Sequence, residues 1–285
     1  MIGRRSFLGA SVLAGLPGLS QATTRLEEEL KRLEALSGGR LGVALLDGSG
    51  NGARGWRGNE RFPMCSTFKA LASAALLHRV DAGQEKLDRR VIYARADLVP
   101  YSPTTEKHVG SGLTLAEICE AAVTLSDNTA GNLLLANIGG PAGLTAFARG
   151  LGDNATRLDR TEPTLNEALP GDPRDTTSPN AMAATLSKLV LGTALSPASR
   201  AQLATWMVAT KTGNDRLRAG LPESWRVGDK TGTGERGTAN DIAVIWPTGR
   251  APMVMTVYLT GASGTAATKN AVIADVARAV VTTLG

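Results

Sequence analysis

The sequence predicts an α/β fold of the α+β type, in which an antiparallel sheet formed from both chain ends is flanked by helices. Short apolar runs typical of strands occur near the start, at Leu41–Leu46, and again after residue 224. Between them, the pattern from Ser66 to about Arg200 is mostly helical. The late strands follow one another through short turns, which favours antiparallel pairing. We therefore expect an all-helical domain to be inserted into the sheet domain.

The expected α/β domain consists of residues 23–62 and 208–285, and the expected all-helical domain of residues 63–207. A chain of 285 residues with 42% apolar and 20% charged residues can bury a sizeable core. The body of the chain lacks an apolar span of about 18 residues, so we expect no membrane anchor after processing. The formal net charge is +5, but the basic residues are scattered, and we expect no nucleic-acid partner.

Residues 1–22 have the layout of an export signal. The pair Arg4-Arg5 precedes an apolar run that ends near Leu16, and a small-residue site, Ser20-Gln21-Ala22, follows. Because the pair stands before Ser-Phe-Leu, the segment resembles a twin-arginine signal. Cleavage after Ala22 would lower the formal charge from +5 to +3. We expect the mature chain in the periplasm, as a monomer.

The first elements of the mature chain are predicted as a helix and two strands. Leucines recur every three or four residues over Thr24–Leu36, and Gly38-Gly39 ends this helical pattern. The strand Leu41–Leu46 follows. The Gly-rich segment Asp47–Gly52 then predicts a turn into a second strand near Trp56.

Helices dominate the middle of the chain, and strands return before a final helix. Three of the middle helices begin at a proline, which the first turn of a helix tolerates. The final helix carries valines at i+4 steps. The predicted middle helices are Thr114–Ser126, Thr129–Asn137, Pro141–Leu151, Pro179–Leu191 and Pro197–Ala209; the late strands are 225–231, 242–246 and 253–259, and the final helix is 266–284.

Ser66 and Lys69 form a candidate pair of nucleophile and base. Pro63 disfavours helix before it and the Ala- and Leu-rich run after it favours one, so a helix should begin near Ser66. Residues three apart lie on one helix face, about 5–6 Å apart at Cβ, and can touch. Burial among apolar neighbours disfavours the charged ammonium, and a neutral amine can accept the serine proton. The same spacing also occurs by chance in many helices.

Two further segments carry candidate side chains. Ser126-Asp127-Asn128 lies between two predicted helices, where it is equally a capping sequence; in a site, Ser126 can relay a proton and Asn128 can hold a substrate amide. Lys230-Thr231-Gly232-Thr233-Gly234 ends a predicted edge strand. Such a strand can pair with an extended substrate and bind its carboxylate, or its lysine can simply protect the sheet edge.

The loop segment Glu162-Pro163-Thr164-Leu165-Asn166 is the last candidate. A glutamate in a solvated loop usually has no catalytic role. If Glu162 and Asn166 face inward, however, they can hold a water between them, and a carboxylate near Lys69 would be a general base.

The histidines and cysteines predict no metal centre. His78 and His108 are isolated, so we expect neither a zinc site nor a His-based triad. Export favours a disulfide between Cys65 and Cys119, but both lie in apolar helical contexts, and we expect two free thiols. Because no phosphate loop or dinucleotide fingerprint stands out, no cofactor is expected.

Taken together, Ser66-x-x-Lys69, Ser126-Asp127-Asn128 and Lys230-Thr231-Gly232 resemble the motif set of class A β-lactamases and penicillin-binding proteins. Their order and wide spacing are similar to those of the class A serine β-lactamases. The similarity includes Leu158–Asn166 and Pro170–Thr176, which resemble the omega loop of that family, here about residues 157–175 in the helical domain. Penicillin-binding proteins generally lack the Glu162–Asn166 element.

The resemblance implies that the β-lactam amide bond of penicillins and cephalosporins is hydrolysed through a serine acyl-enzyme, which gives antibiotic resistance. Whether Lys69 or Glu162 takes the serine proton stays open. The backbone N–H groups of Ser66 and Thr233 are implied to form the oxyanion hole, and Arg160 and Asp175 to pair and hold the omega loop. Implied catalytic residues are Ser66, Lys69, Ser126, Glu162 and Asn166, and implied substrate contacts are Tyr101, Asn128, Arg216, Lys230, Thr231, Gly232 and Thr233.

Two other functions remain open. A D-alanyl-D-alanine peptidase would use the same serine and lysine but be acylated almost irreversibly by penicillin, and the Glu162 element argues against it. A β-lactam sensor would acylate without turnover, and such sensors usually carry transmembrane segments. Catalytic hydrolysis of nitrocefin, well beyond one turnover per molecule, would separate the three functions.

Overall fold

A five-stranded antiparallel sheet is the centre of the computed structural model, which describes residues 17–47 and 53–284. The first and last strands in the sequence, β1 and β5, are neighbours, so both chain ends contribute to the sheet. The strand order is β2-β1-β5-β4-β3. The strands are β1 (Arg40–Asp47), β2 (Arg54–Trp56), β3 (Arg226–Gly234), β4 (Thr238–Trp246) and β5 (Met253–Thr260).

Nine helices are described besides short 3₁₀ turns. Most helix ends agree with the sequence-based boundaries to within a few residues, but the first helix begins at Pro17 and not at Thr24, and the short helix Leu217–Gly220 was not predicted. Most of the predicted export signal, residues 1–16, and most of the predicted turn, residues 48–52, lie outside the described residues. The helices are α1 (Pro17–Ser37), α2 (Phe68–Asp81), α3 (Leu115–Thr124), α4 (Asn128–Asn137), α5 (Gly140–Gly150), α6 (Pro179–Val190), α7 (Pro197–Val208), α8 (Leu217–Gly220) and α9 (Ala266–Leu284).

Polar side chains fix several helix starts. Thr114 caps α3 in a capping box with Glu117: its hydroxyl accepts from the Glu117 N–H, and the Glu117 carboxylate accepts from the Thr114 N–H. Ser178 and Ser196 cap α6 and α7, each of which has proline in its first turn. Asp127 caps α4.

Two hydrophobic cores lie on opposite faces of the sheet. One combines the leucines of α1 with residues of α8 and α9 and with alternate sheet residues such as Val43 and Val257. The other combines the middle helices with the sheet residues that alternate with the first set, such as Ala44 and Ile242. This alternation follows from the period of two in a strand, and it confirms the predicted fold class. The boundaries of the two domains stay a prediction.

Helix α2 is the centre of the helical core. All ten residues from Phe68 to Leu77 are buried, as expected for a helix that is apolar around most of its circumference. The predicted helix start near Ser66 needs one refinement, because Cys65–Thr67 form a 3₁₀ turn and the α-helix begins at Phe68. Ser66 therefore lies in the turn that leads into the helix.

Strand β3 is an edge strand that runs further than the sequence pattern predicts. Its register with β4 continues from Arg226↔Trp246 to Gly234↔Thr238. The Lys-Thr-Gly segment is thus held inside the strand by pairing with β4, and the strand ends at Gly234, the last residue of the predicted Lys230–Gly234 end. The turn between β3 and β4 comes only after Gly234.

Candidate active site

The turn that carries Ser66 is fixed by backbone contacts on both sides. Cys65 has a φ of 47°, in the left-handed region, so that the chain bends sharply just before Ser66. The Met64 N–H donates to the Asp175 carbonyl at 2.9 Å, and the Thr67 hydroxyl donates to the Met64 carbonyl at 2.8 Å. These bonds hold Ser66 at the junction of α2 and the segment that contains Asp175.

Ser66, Lys69 and Glu162 form a closed triangle of polar contacts. Lys69 Nζ is 2.9 Å from Ser66 Oγ, which confirms that the two side chains touch. Ser66 Oγ is 3.0 Å from Glu162 Oε1, and that oxygen is 2.9 Å from Lys69 Nζ. All three side chains are buried. The arrangement brings a nucleophile, an amine and a carboxylate within reach of one proton.

Lys69 is buried completely, but three oxygens in addition to Glu162 Oε1 surround its ammonium group. Besides Ser66 Oγ, Nζ donates to the Ser126 carbonyl at 2.8 Å and to Asn128 Oδ1 at 2.7 Å. Burial lowers the pKa of Lys69 from its ordinary value, and the Glu162 carboxylate opposes this shift. Lys69 is therefore closer to proton exchange with Ser66 than a surface lysine is.

Ser126 connects the lysine of α2 to the lysine of β3. Its φ of 60° directs its carbonyl to Lys69, while its hydroxyl accepts a hydrogen bond from Lys230 Nζ at 3.0 Å. Burial, together with the neighbouring charge of Lys69, lowers the pKa of Lys230 to about 7. The site thus contains two buried amines that share one serine between them.

Glu162 is held by asparagine side chains on its backbone and its carboxylate. Asn132 Oδ1 accepts from the Glu162 N–H at 2.9 Å, and Asn132 Nδ2 donates to the Glu162 carbonyl at 3.0 Å. Asn166 Nδ2 donates to Glu162 Oε2. Asn166 Oδ1 is buried and has no hydrogen-bond partner among the described residues. The carboxylate is consequently fixed toward Ser66.

The segment that carries Glu162 is tied together by a buried ion pair. Arg160 Nε lies 2.6 Å from Asp175 Oδ2, and Arg160 Nη1 lies 2.6 Å from Glu167 Oε2. Asp175 Oδ1 also accepts from the backbone N–H groups of Asp159 and Arg160. Since Asp175 is almost fully buried, this contact closes the two ends of the segment on each other.

Strand β3 and its neighbours form the other wall of the site. Arg216 donates from Nη2 to Thr233 Oγ1 at 2.7 Å, and Nη1 donates to the Gly232 carbonyl at 2.8 Å. Arg216 is buried, and burial lowers its pKa. Thr231 Oγ1 lies 2.6 Å from Thr212 Oγ1. The guanidinium group of Arg216 therefore contacts β3 at Gly232 and Thr233.

The opposite rim is formed by Tyr101 and Asn128. The Tyr101 side chain is 61% exposed, and the backbone carbonyl of Tyr101 accepts from the Asn128 N–H at 2.9 Å. Asn128 Nδ2 donates to the Pro100 carbonyl at 2.8 Å. The amide of Asn128 thus stands between Lys69 and the rim.

Two polar residues that support the site, Asn132 and Asn240, were not identified from the sequence, and a third, Asp127, was identified only as part of a capping sequence. Asn132 lies one turn after Asn128 on α4, and that spacing was an available signal. Asp127 accepts from the Thr104 and Thr105 N–H groups and so fastens the rim segment to α4. Asn240 contacts the residues before Ser66, and no local pattern indicates it.

The described residues contain no group of three or more His, Cys, Asp or Glu side chains placed to hold a metal ion. Cys65 and Cys119 are both buried free thiols, and burial raises the pKa of each. In the same part of the chain, no helix has the length and apolar character needed to cross a membrane.

Comparisons with known proteins place this geometry in a family. The model of the Beta-lactamase enzyme family matches residues 25–284. Beta-lactamase CTX-M-8 of Citrobacter amalonaticus is 52% identical over 270 residues, which cover 95% of this chain and 93% of that protein. Beta-lactamase Toho-1 of Escherichia coli is 53% identical over 263 residues, or 90% of each.

Solved structures give the same result. The crystal structure of the putative class A beta-lactamase PenP from Rhodopseudomonas palustris superposes with a TM-score of 0.89 at 66% identity, over 90% of this chain and 98% of that chain. An ancestral class A beta-lactamase superposes with a TM-score of 0.89 at 68% identity, over 90% and 99% of the two chains. The fold, the buried Ser66–Lys69–Glu162 triangle and these similarities together show that the chain belongs to the beta-lactamase enzyme family, as a class A serine β-lactamase.

Proposed function

We propose that this hydrolase opens the β-lactam amide bond of penicillins and cephalosporins with Ser66 as its nucleophile. The observation that carries the proposal is the buried contact of Ser66 Oγ with both Lys69 and Glu162. In acylation, Ser66 Oγ bonds to the β-lactam carbonyl carbon, the ring C–N bond breaks, and the backbone N–H groups of Ser66 and Thr233 bind the oxyanion. Either Lys69 or Glu162 is close enough to take the serine proton.

Ser126 delivers a proton to the ring nitrogen as the C–N bond breaks. Its hydroxyl contacts Lys230 Nζ, and its carbonyl contacts Lys69 Nζ, so a proton can pass along this line of groups. The substrate carboxylate binds to Lys230, Thr231 and Thr233 along β3, with Gly232 between them. Arg216 adds positive charge behind Thr233. Asn128 holds the amide side chain of the substrate, and Tyr101 forms the exposed wall.

Glu162 and Asn166 carry out the second half of the reaction. A water held between them attacks the acyl carbon, and its proton passes to Glu162 while the bond from carbon to Ser66 Oγ breaks. Two features support this role: the carboxylate faces Ser66, and the buried Asn166 Oδ1 is available to accept from such a water. Penicillin-binding proteins generally lack the Glu162–Asn166 element, so the contact of Glu162 with Ser66 favours β-lactam turnover over the peptidase.

The experiment compares the mature protein with two variants. We expect Ser66→Ala to abolish nitrocefin hydrolysis because the nucleophile is lost. We expect Glu162→Ala to acylate but to accumulate covalent adduct, which intact-mass spectra with a penicillin would detect. An adduct on the Glu162 variant also shows that Lys69 can take the serine proton. Near-normal turnover by Ser66→Ala contradicts its role as the nucleophile. A Glu162 variant without adduct contradicts a role of Glu162 in deacylation alone and means that acylation also needs this carboxylate.

The chain is proposed to act in the periplasm as a monomer after removal of residues 1–22 by cleavage after Ala22. The support is the twin-arginine pattern of Arg4-Arg5. Leu26, Leu30 and Leu33 of α1 are buried and follow the proposed cleavage site, so that the mature chain keeps them. The loop of about residues 157–175 is proposed to act as the omega loop, with the Arg160–Asp175 pair closing it.

A further inference from the structure

Asn240 is a buried side chain on β4 whose contacts reach the turn before the nucleophile. Its Nδ2 donates to the Pro63 carbonyl at 2.8 Å and to the Met64 carbonyl at 3.1 Å. Its Oδ1 accepts from the Leu259 N–H at 3.3 Å. Two acceptors on one side of the amide and a donor on the other fix its orientation. Asn240 thus hydrogen-bonds the central sheet to the chain immediately before Cys65 and Ser66.

Gly232 stands directly opposite Asn240 in the register of β3 with β4. A Cβ atom on Gly232 would lie 2.7 Å from the Met64 carbonyl oxygen and 3.1 Å from Asn240 Nδ2. Because Gly232 has no side chain, residues 64–67, which we call the nucleophile turn, can lie against β3. The Asn240 amide fills the space beside Gly232. Met64 lies two residues before Ser66, and Gly232 lies one residue before Thr233.

Arg216 completes the connection through the backbone of Asn240. The Asn240 carbonyl accepts from Arg216 Nη1 at 2.6 Å. The same guanidinium donates to the Gly232 carbonyl and to Thr233 Oγ1. Asn240 is thus bonded to the nucleophile turn by its side chain, and Arg216 links its backbone to the segment that ends at Thr233.

We propose that Asn240 is a positioning residue that sets the spacing of the two oxyanion-hole N–H groups, those of Ser66 and Thr233. The inference rests on the proposed function, because it assumes that these two amides bind the oxyanion. Loss of a single oxyanion-hole donor costs about 100- to 1,000-fold in rate, and a displacement of about 1 Å costs about 100-fold. Loss of the Asn240 amide is expected to reduce kcat/KM by about 10- to 100-fold.

The test uses Asn240→Leu, which keeps most of the volume but removes the amide, and Asn240→Ala as a second variant. Thr256→Val is the matched control: Thr256 is buried on the next strand, β5, and its hydroxyl donates to the Pro179 carbonyl at 2.9 Å. It removes one buried hydrogen bond between the sheet and the helical side without touching the nucleophile turn. The first readout is kcat/KM, which reports acylation and is independent of deacylation.

The second readout is the infrared stretching frequency of the acyl carbonyl, measured on the penicillin adduct of Glu162→Ala with and without Asn240→Leu. Hydrogen bonds from the oxyanion hole polarise this carbonyl and lower its frequency. We expect a higher frequency when Asn240 is replaced, and no change with Thr256→Val. A general loss of stability would lower the melting temperature of both variants and leave this frequency unchanged.

The outcomes separate this inference from the proposed function. If kcat/KM and the carbonyl frequency of the Asn240 variants match those of Thr256→Val, the positioning role is wrong. If Glu162→Ala yields no adduct, the assigned role of Glu162 is wrong, and kcat/KM alone then decides the role of Asn240. If Asn240→Leu does not fold, Asn240→Ala supplies the same two readouts.

Discussion

Two buried lysines with lowered pKa values are the main electrostatic feature of the site at the scale of single residues. Lys69 and Lys230 both contact Ser126, and each loses hydration that a surface ammonium would keep. Their positive charges oppose each other, and burial disfavours both charged forms. The protonation state of each amine is therefore sensitive to pH in a range where ordinary lysines stay charged.

We predict an alkaline limb in the pH profile of kcat/KM near pH 7. The pKa of Lys230 is lowered to about 7, so the free enzyme loses the ammonium, and with it carboxylate binding, as pH rises through that value. A bound substrate carboxylate favours the charged form of Lys230. Since kcat reports the enzyme–substrate complex, its alkaline limb should lie at a higher pH than that of kcat/KM. Steady-state rates from pH 5 to 10 measure both limbs.

Lys230→Arg is the companion variant for this prediction. A guanidinium keeps its proton throughout that range, so its kcat/KM should lack this limb, whatever its absolute rate. A kcat/KM that stays constant in the unsubstituted protein between about pH 6 and 9 would rule out titration of Lys230 in the free enzyme.

Asn132 gives a second prediction at this scale. Asn132→Ala removes both hydrogen bonds to the Glu162 backbone, and the carboxylate should then lose its fixed direction toward Ser66. Misplacement of a catalytic group by about 1 Å costs about 100-fold, so we expect deacylation to slow by about 10- to 100-fold and acylation to change less. Burst-phase kinetics with a slowly hydrolysed cephalosporin separate the two steps.

The control for Asn132 lies on the same helix. Asn137 donates to the Leu133 carbonyl within α4 at 2.7 Å and does not contact Glu162. Asn137→Ala should leave both rates nearly unchanged. If the deacylation rate fell equally in the two variants, α4 as a whole would support Glu162, and not the two hydrogen bonds from Asn132.

Residues of the site were predictable where their relation is local in the chain. Ser66 and Lys69 touch because residues three apart meet along a helix, and the sequence alone indicates that. The positions of Asn132 and Asn240 depend on how α4 and β4 approach distant segments, with 30 residues separating Asn132 from Glu162 and 177 separating Pro63 from Asn240. For Asn240 no local pattern contains that information, and for Asn132 the spacing indicates only that it shares a helix face with Asn128.

At the scale of elements, the loop that carries Glu162 depends on one ion pair. We predict that Asp175→Ala lowers the free energy of unfolding by about 3 kcal/mol, because it takes the buried partner from the half-buried Arg160 and leaves the backbone N–H groups of Asp159 and Arg160 without this acceptor. Deacylation should also slow, since the loop positions Glu162. Denaturant titration and burst kinetics measure the two effects.

Asp172 is the matched control for Asp175. It lies three residues earlier in the same loop and pairs at 2.7 Å with Arg174, whose side chain is 46% exposed. Exposed pairs of this kind contribute about 0–1 kcal/mol, so Asp172→Ala should be nearly neutral in both measurements. A stability loss as large as that of Asp175→Ala would show that any loop charge is equally important.

Most elements were predictable from periodicity, whereas details at their ends were not. The leucine spacing of α1 and the apolar runs of the late strands led directly to the correct types of element. The extension of β3 through Gly234 was missed because glycines weaken a strand pattern, while pairing with β4 maintains the strand there. The 3₁₀ turn at Cys65–Thr67 was missed because contacts from Asp175 determine it.

At the scale of the whole molecule, export can be tested directly. We predict that the protein recovered from the periplasmic fraction of a Gram-negative host begins at Thr23. Replacement of both Arg4 and Arg5 by lysine should leave uncleaved chain in the cytoplasmic fraction, because the paired arginines are the signal that the twin-arginine route reads. Mass spectrometry of the two fractions gives the answer.

Arg25 and Arg32 offer the control for this experiment. Both lie after the proposed cleavage site, and their replacement by lysine should not change where the protein is found. Recovery of an intact Met1 in the periplasmic fraction would contradict cleavage after Ala22. Unchanged export of the Arg4/Arg5 variant would point to a different export route.

The pairing of β1 with β5 has a consequence for the order in which the molecule is completed. β1 can pair with β2 soon after both leave the ribosome, but its partner on the other side, β5, is present only when residues 253–260 have been synthesised. Until then the sheet lacks its central strand, β5. Strand β3, which holds Lys230 opposite Ser126, and its neighbour β4 are therefore not joined to β1. Activity therefore arises at the end of synthesis, all at once, and a nascent chain that stops short of the last strand is inactive.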